Sequence, residues 1–122
     1  MGTIKGLDGF AKTVKFEKDD TLDRTPFLSV QTITGPGTID VKNTVTLLIT
    51  TGADDAFTLP NGIREGQLKI ISMKTDGGNA TVTPDNFING TQIVFDDVED
   101  TCTMIWQSTG WIIIAQQNTT VS

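Results

Sequence analysis

From Thr38 onward the chain alternates short runs of apolar and polar residues, and Thr, Val and Ile dominate those runs. Branched side chains of this kind suit a pleated, half-buried surface. The pattern predicts strands near 38–42, 44–51, 56–59, 67–74, 80–83, 91–96, 101–107 and 111–116. Turn-forming residues separate them: Lys42-Asn43, Gly52 to Asp55, Pro60-Asn61-Gly62, Asp76 to Asn79, Asn89-Gly90, Asp96 to Asp100 and Ser108 to Gly110. Strands at this spacing, joined by tight turns, predict an all-β fold, an antiparallel β-sandwich or small barrel. "GIREGQ" (62–67) has room for one helical turn at most. In "TDGGNATVTP" (75–84), Asp76, Gly77, Gly78 and Asn79 form a structural turn. It is expected to close a hairpin between 67–74 and 80–83, with both glycines at positive φ.

The first 34 residues are different. Apolar side chains are sparse (Ile4, Leu7, Phe10, Val14, Phe16, Leu22, Phe27, Leu28) and charges stand between them. Neither the helical nor the strand period is sustained, beyond a short alternation in "VKFEKDD". This predicts an extended N-terminal arm and linker over 1–37, ending at "TGPG" (34–37), ahead of a β-rich body over 38–122.

Several strands are apolar on both faces. Leu68 and Ile70 fall on one side of their strand, Ile71 and Met73 on the other. Cys102, Met104 and Trp106 oppose Ile105, and Trp111, Ile113 and Ala115 oppose Ile112 and Ile114. Val45, Leu47 and Ile49 alternate with threonines, but Leu48 interrupts the polar side. A two-layer domain needs only one apolar face per strand. Two readings stay open: a buried central strand or curled barrel, or a second face covered by another subunit or by the arm.

Length suggests one domain. The longest apolar run, Trp111 to Ala115, is far too short to span a bilayer, and no signal-peptide pattern is expected at the N-terminus. Cys102 is the sole cysteine, in an apolar run, and reads as a core thiol. The formal charge of −6 is uneven: residues 1–34 hold five basic and five acidic groups, leaving four basic and ten acidic groups for the remainder. Such a body repels phosphate backbones, which argues against a nucleic-acid partner.

The chain has no histidine and no tyrosine, so nucleophile–histidine pairs and histidine metal sites are excluded. "TDGGN" lacks the lysine and following helix of a phosphate loop. Asp54-Asp55 and the 96–100 acidic run would suit a glycosidase pair or calcium, but neighbouring carboxylates on turns ordinarily face water. Three Asn-x-Thr sequons (Asn79, Asn89, Asn118) match what a Thr-rich chain gives by chance, and glycosylation is not expected. Trp106 and Trp111 flank the "QSTG" turn, where either core packing or a carbohydrate platform is open to them. The residues thus point to a binding scaffold with neither catalytic groups nor cofactor.

The run "TTGADDAFTLPNGIREGQLKIISMKTDGGNATVTPDNFINGTQIVFDDVEDTCTMIWQSTGWIII" (50–114) resembles a β-rich module of tailed-bacteriophage virion proteins. Among these it looks notably like small head decoration (cement) proteins, including those of cyanophages; related modules also occur in fibre and tail proteins. The likeness is carried by turns and core residues and covers roughly half the chain. It implies a structural protein of the virion, made in the host cytoplasm. It further implies a homo-oligomer, often a trimer, seated on the outer capsid where major capsid proteins meet. On that reading Ile4, Leu7, Phe10, Val14, Phe16, Phe27, Leu28, Ile112 and Ile114 are candidate contacts to capsid or sister subunit. No membrane partner is implied. The alternative is a head-fibre or tail-fibre module that binds host carbohydrate near Trp106, Trp111 and the acidic turns.

Overall fold

The computed structural model describes residues 26–122. Ten strands follow one another: β1 (Val30–Thr34), β2 (Gly37–Thr38), β3 (Val45–Ile49), β4 (Asp54–Leu59), β5 (Leu68–Thr75), β6 (Asn79–Pro84), β7 (Ile93–Phe95), β8 (Thr101–Gln107), β9 (Gly110–Gln117) and β10 (Thr120–Val121). They form two five-stranded sheets, β1-β3-β5-β8-β9 and β10-β7-β6-β4-β2, which are not closed into a barrel. No helix occurs among the described residues. The all-β expectation holds, and of its two architectures the open sandwich fits.

The strand pairing is not uniformly antiparallel. Through β6 the chain crosses from one sheet to the other after every strand, so β1, β3 and β5 pair in parallel, and so do β2, β4 and β6. This first part is a stack of three coils. Only beyond β6 does the chain double back, giving antiparallel pairs β6–β7, β5–β8, β8–β9 and β7–β10. The expected hairpin at Asp76–Asn79 is therefore an arch: β5 and β6 lie in different sheets. Tight turns fit either geometry, and a turn alone does not say whether the chain reverses in the plane of a sheet or steps out of it.

The arches explain the glycines. The arch 50–53, between β3 and β4, lies directly under the arch 76–78, between β5 and β6. Thr50 Nα donates to Thr75 O (3.1 Å) and Asn79 Nα to Ala53 O (3.2 Å). The buried Thr50 hydroxyl accepts from Gly77 Nα (2.8 Å) and donates to Gly78 O (2.7 Å). A Cβ on Gly77 would stand 2.2 Å from Thr50 O, and one on Gly78 would stand 1.8 Å from Gly52 O. Gly78 also has φ +149°, whereas Gly77 does not have positive φ, contrary to expectation. Backbone against backbone is the main requirement here.

Two boundaries move. Val30–Thr34, expected within the arm, is an edge strand in register with Val45–Ile49. The strand expected at 38–42 ends at Thr38 and gives way to a turn in which Asp40 Oδ1 accepts from Lys42 Nα. The arm expectation for residues 1–25 lies outside the described residues.

The core lies between the sheets. Leu48, Ile71, Met73, Cys102, Met104, Trp106 and Trp111 come from the first sheet; Phe57, Leu59, Ala80, Val82, Ile93 and Phe95 come from the second. One cation enters it. Lys69 is fully buried, and its ammonium donates to Asp40 O (3.0 Å), Asn43 O (2.7 Å) and the Thr46 hydroxyl (2.7 Å). Three donors meet three acceptors, which ties the β2–β3 connection to β5. Burial pulls the Lys69 pKa from 10.5 down to about 8, opposed by the charge of Asp40.

Gly77→Ala is expected to lower unfolding free energy by about 2–4 kcal/mol, as for other backbone collisions, read by denaturant titration. Gly66→Ala should cost only about 1 kcal/mol, because Gly66 has φ +86° but open space beside it. Equal stability of Gly77→Ala and the wild type would refute the stacked-arch account. Lys69 yields a second test. Between about pH 8 and 10.5 the folded chain holds fewer protons at this amine than the unfolded chain does. Its contribution to stability must therefore rise with pH across that window. The stability profile of Lys69→Met, subtracted from that of the wild type, should isolate the rise; identical slopes would contradict it.

Candidate functional site

Cys102, both tryptophans and two of the carboxylates are turned inward or spent on structure, while most of the other carboxylates are exposed. Cys102 is buried, and desolvation pushes its thiol up to about 12, so it is inert at neutral pH. Trp106 and Trp111 pack edge to face with ring centroids 5.4 Å apart. Both are buried, and Trp111 Nε1 donates to Pro60 O (2.9 Å). They are core residues, not a platform for sugar rings. Asp55 is buried and accepts from Thr51 Nα (2.8 Å). Asp100 is buried and accepts from the amides of Asp96 (3.0 Å) and Asp97 (3.1 Å). The two side-chain carboxyls of Asp96 and Asp100 also interact, and that side-chain hydrogen bond raises the Asp96 pKa, with desolvation and the Asp100 charge adding to the shift. Among the described residues no group of three or more acidic or cysteine side chains converges as metal ligands. A depression of about 340 Å³, lined by Asp54, Asp55, Ala56, Thr81 and Gln92, opens on the outer face of the second sheet. Its lining offers two carboxylates, of which Asp55 is held by the Thr51 amide, and no cationic side chain.

The distinctive surface is the outer face of the first sheet. Register places its side chains in rows that run across three to five strands. One row runs Leu68, Ile105, Ile112; the next runs Val30, Val45, Ile70, Thr103, Ala115; a third runs Thr32, Leu47, Ser72, Thr101, Gln117. Ile49 continues it, and Ile114 projects at the bulge between Thr103 and Met104, more than half exposed. The open question about two-faced strands resolves in part. One apolar face of β3, β5 and β8 packs in the core, and the other is an outer surface uncovered by any described residue. These five strands contain only two charged residues, the buried Lys69 and Lys74 at the β5 bulge. The second sheet presents Ala56, Thr58, Thr81 and Thr83 outward, and Thr58 donates to the Thr38 hydroxyl (3.2 Å).

Charge divides along the other axis. The arches and the β7–β8 connection lie at one end of the sandwich, as Glu99 Nα→Met73 O (2.8 Å) and Met73 Nα→Asp100 O (3.0 Å) show. Asp54, Asp55, Asp76, Asp96, Asp97, Glu99 and Asp100 gather there against Lys74, formally −6. The opposite end carries Asp40, Glu65 and Asp85 against Lys42, Arg64 and Lys69, formally zero.

Of the contact residues expected from sequence, Ile112 and Ile114 lie on this apolar face. Phe27 and Leu28 are exposed just before β1. Ile4, Leu7, Phe10, Val14 and Phe16 lie outside the described residues. Sequence reasoning did not single out Val30, Val45, Ile70 and Ile105 as contacts. The double-faced alternation in 45–49 and 68–73 was the available signal, but it does not tell which face is inner. A scan against models of protein families finds no match, and a search of curated proteins finds no match.

Proposed function

We propose that the protein is a capsid decoration protein, which binds the outside of an assembled phage head and stabilises it without catalysing a reaction. The observation that carries the reading is the placement of the residues behind the resemblance. The run 50–114 corresponds to most of β4 to β9 and the arch 50–53, which supply most of the buried core. The surface chemistry agrees with a binding role. Cys102 and both tryptophans are buried, while a broad face with few charges and many branched apolar side chains is turned outward. Its partners on this reading are the major capsid protein and sister copies. Repeated shallow contacts around a symmetric shell gain stability through avidity. The carbohydrate-binding fibre alternative loses its aromatic platform, because both tryptophans are in the core.

The test is to mix the purified chain with heads assembled from the major capsid protein of the same phage, then sediment and heat them. Decoration predicts on the order of hundreds of bound copies per head and a higher temperature of head rupture. No co-sedimentation, or a handful of copies at one vertex, would contradict it; the latter would favour a fibre.

A further inference from the structure

We infer that residues 14–25 add one further coil to the open end of the stack, pairing with β1 and β2 of their own chain. The inference stands whether or not the chain binds heads. β1 and β2 follow one another in the chain, and each is the last strand of its sheet. Both leave an edge open on the same side of the sandwich. Ser29 O accepts from Val45 Nα (2.9 Å) and Gly35 Nα donates to Ile49 O (2.8 Å). Alternation therefore turns the amides of Thr32 and Thr34 toward the open side. Ile33 packs against the core but is only partly buried, whereas Leu48 and Met73 in the same row are fully buried. β1 also lacks the charges and prolines by which edge strands ordinarily discourage pairing.

The residues ahead of this edge repeat the coil they would cover. In the first sheet Ile33, Leu48 and Met73 form an inward row. In the second, Ile39, Leu59 and Pro84 form another, flanked by the outward threonines Thr38, Thr58 and Thr83. Seventeen residues before Ile33, Thr38, Ile39 and Asp40 stand Phe16, Thr21, Leu22 and Asp23. A single displacement thus brings Phe16 into the first row and Leu22 into the second. It also sets Thr21 beside Thr38, whose hydroxyl already accepts from Thr58 (3.2 Å). The same displacement sets Lys15 and Glu17 level with the exposed Thr32 and Thr34, so the sheet would end in a strand with charges outward. The chain reaches: the return from Asp23 to Val30 is two residues longer than the one from Asp40 to Val45, which already crosses the sandwich. Asp19 and Asp20 would join the acidic end, and Lys18 offsets one of them. This assigns residues 14–25 to the body rather than to an extended arm, and takes Val14 and Phe16 out of the candidate contacts.

Hydrogen exchange of the full chain, read amide by amide by NMR, tests the pairing. The Thr32 and Thr34 amides should exchange at least about 100-fold more slowly than in an unfolded chain. Phe16→Asp should speed both at least about tenfold, and Phe10→Asp, outside the repeated run, should leave them unchanged. A cross-link reads the register independently. Paired residues on neighbouring strands lie about 4.8 Å apart, within the reach of a disulfide. Thr21→Cys combined with Thr38→Cys should therefore close a bond within one chain on mild oxidation. Thr21→Cys with Thr83→Cys, three strands apart at about 14 Å, exceeds the limit of about 7 Å and should stay reduced. The buried Cys102 does not compete. Amides of Thr32 and Thr34 that exchange as in an unfolded chain, or that ignore Phe16→Asp, would overturn the inference. So would a disulfide that forms as readily with Thr83→Cys, or one that joins two chains.

Discussion

The fold depends on how the chain crosses between its sheets. At each crossing it must leave one hydrogen-bonded ladder and enter another, and the backbone groups of the bend need partners there as much as in the strands. Stacking one arch on the next meets that need, but only if two backbones approach to about the 4.8 Å separation of paired strands. Gly77 and Gly78 make the approach possible against Thr50 and Gly52, and the Thr50 hydroxyl fills the remaining gap between carbonyl and amide. Because β3 and β4 leave one arch and β5 and β6 the other, this single contact sets the parallel register of both sheets together.

The opposite end is held by different means. Its connections, 39–44 and 60–67, share no backbone hydrogen bond. Side chains bridge them instead. Lys69 reaches Asp40, Asn43 and Thr46; Gln67 donates to Val41 O; Trp111 donates to Pro60 O. A fully buried ammonium is costly unless all its protons are bonded, and here they are. The buried cation thus supplies at this end the bonds that backbone stacking supplies at the other.

Much of this was legible in the residues, and the limit is physical. Alternation located most strands of the body and put Cys102, Met104 and Trp106 on one face opposite Ile105, since burial acts residue by residue with period two. Parallel coiling was not legible, because pairing partners are a long-range property and the coils are unequal. Val30 pairs with Val45, but Asp54 pairs with Asn79. One trace exists: the Thr-x-Gly-x-Asp pattern of 50–54 returns as Thr-x-Gly-x-Asn at 75–79, 25 residues later, with Phe57-Thr58 returning as Val82-Thr83. A single repetition is a faint signal, and it is the signature of the stacked arch. Val30–Thr34 escaped because an exposed edge strand needs only one apolar position in two, and Gln31, Thr32 and Thr34 dilute it.

The structure is polarised along two perpendicular directions. Across the sandwich, an outer face of threonine and alanine on the second sheet opposes one on the first in which valine, leucine and isoleucine are mixed with threonine and serine. Along the strands, an acidic end opposes a neutral one. Either gradient alone leaves a free rotation. An apolar face settles which side meets a partner but not the direction of the strands on it, and a charged end settles direction but not side. Together they define one orientation. For a chain proposed to work by occupying equivalent places on a repeating surface, that matters more than strong binding at any single place. Avidity accumulates only when every copy presents the same contacts in the same direction.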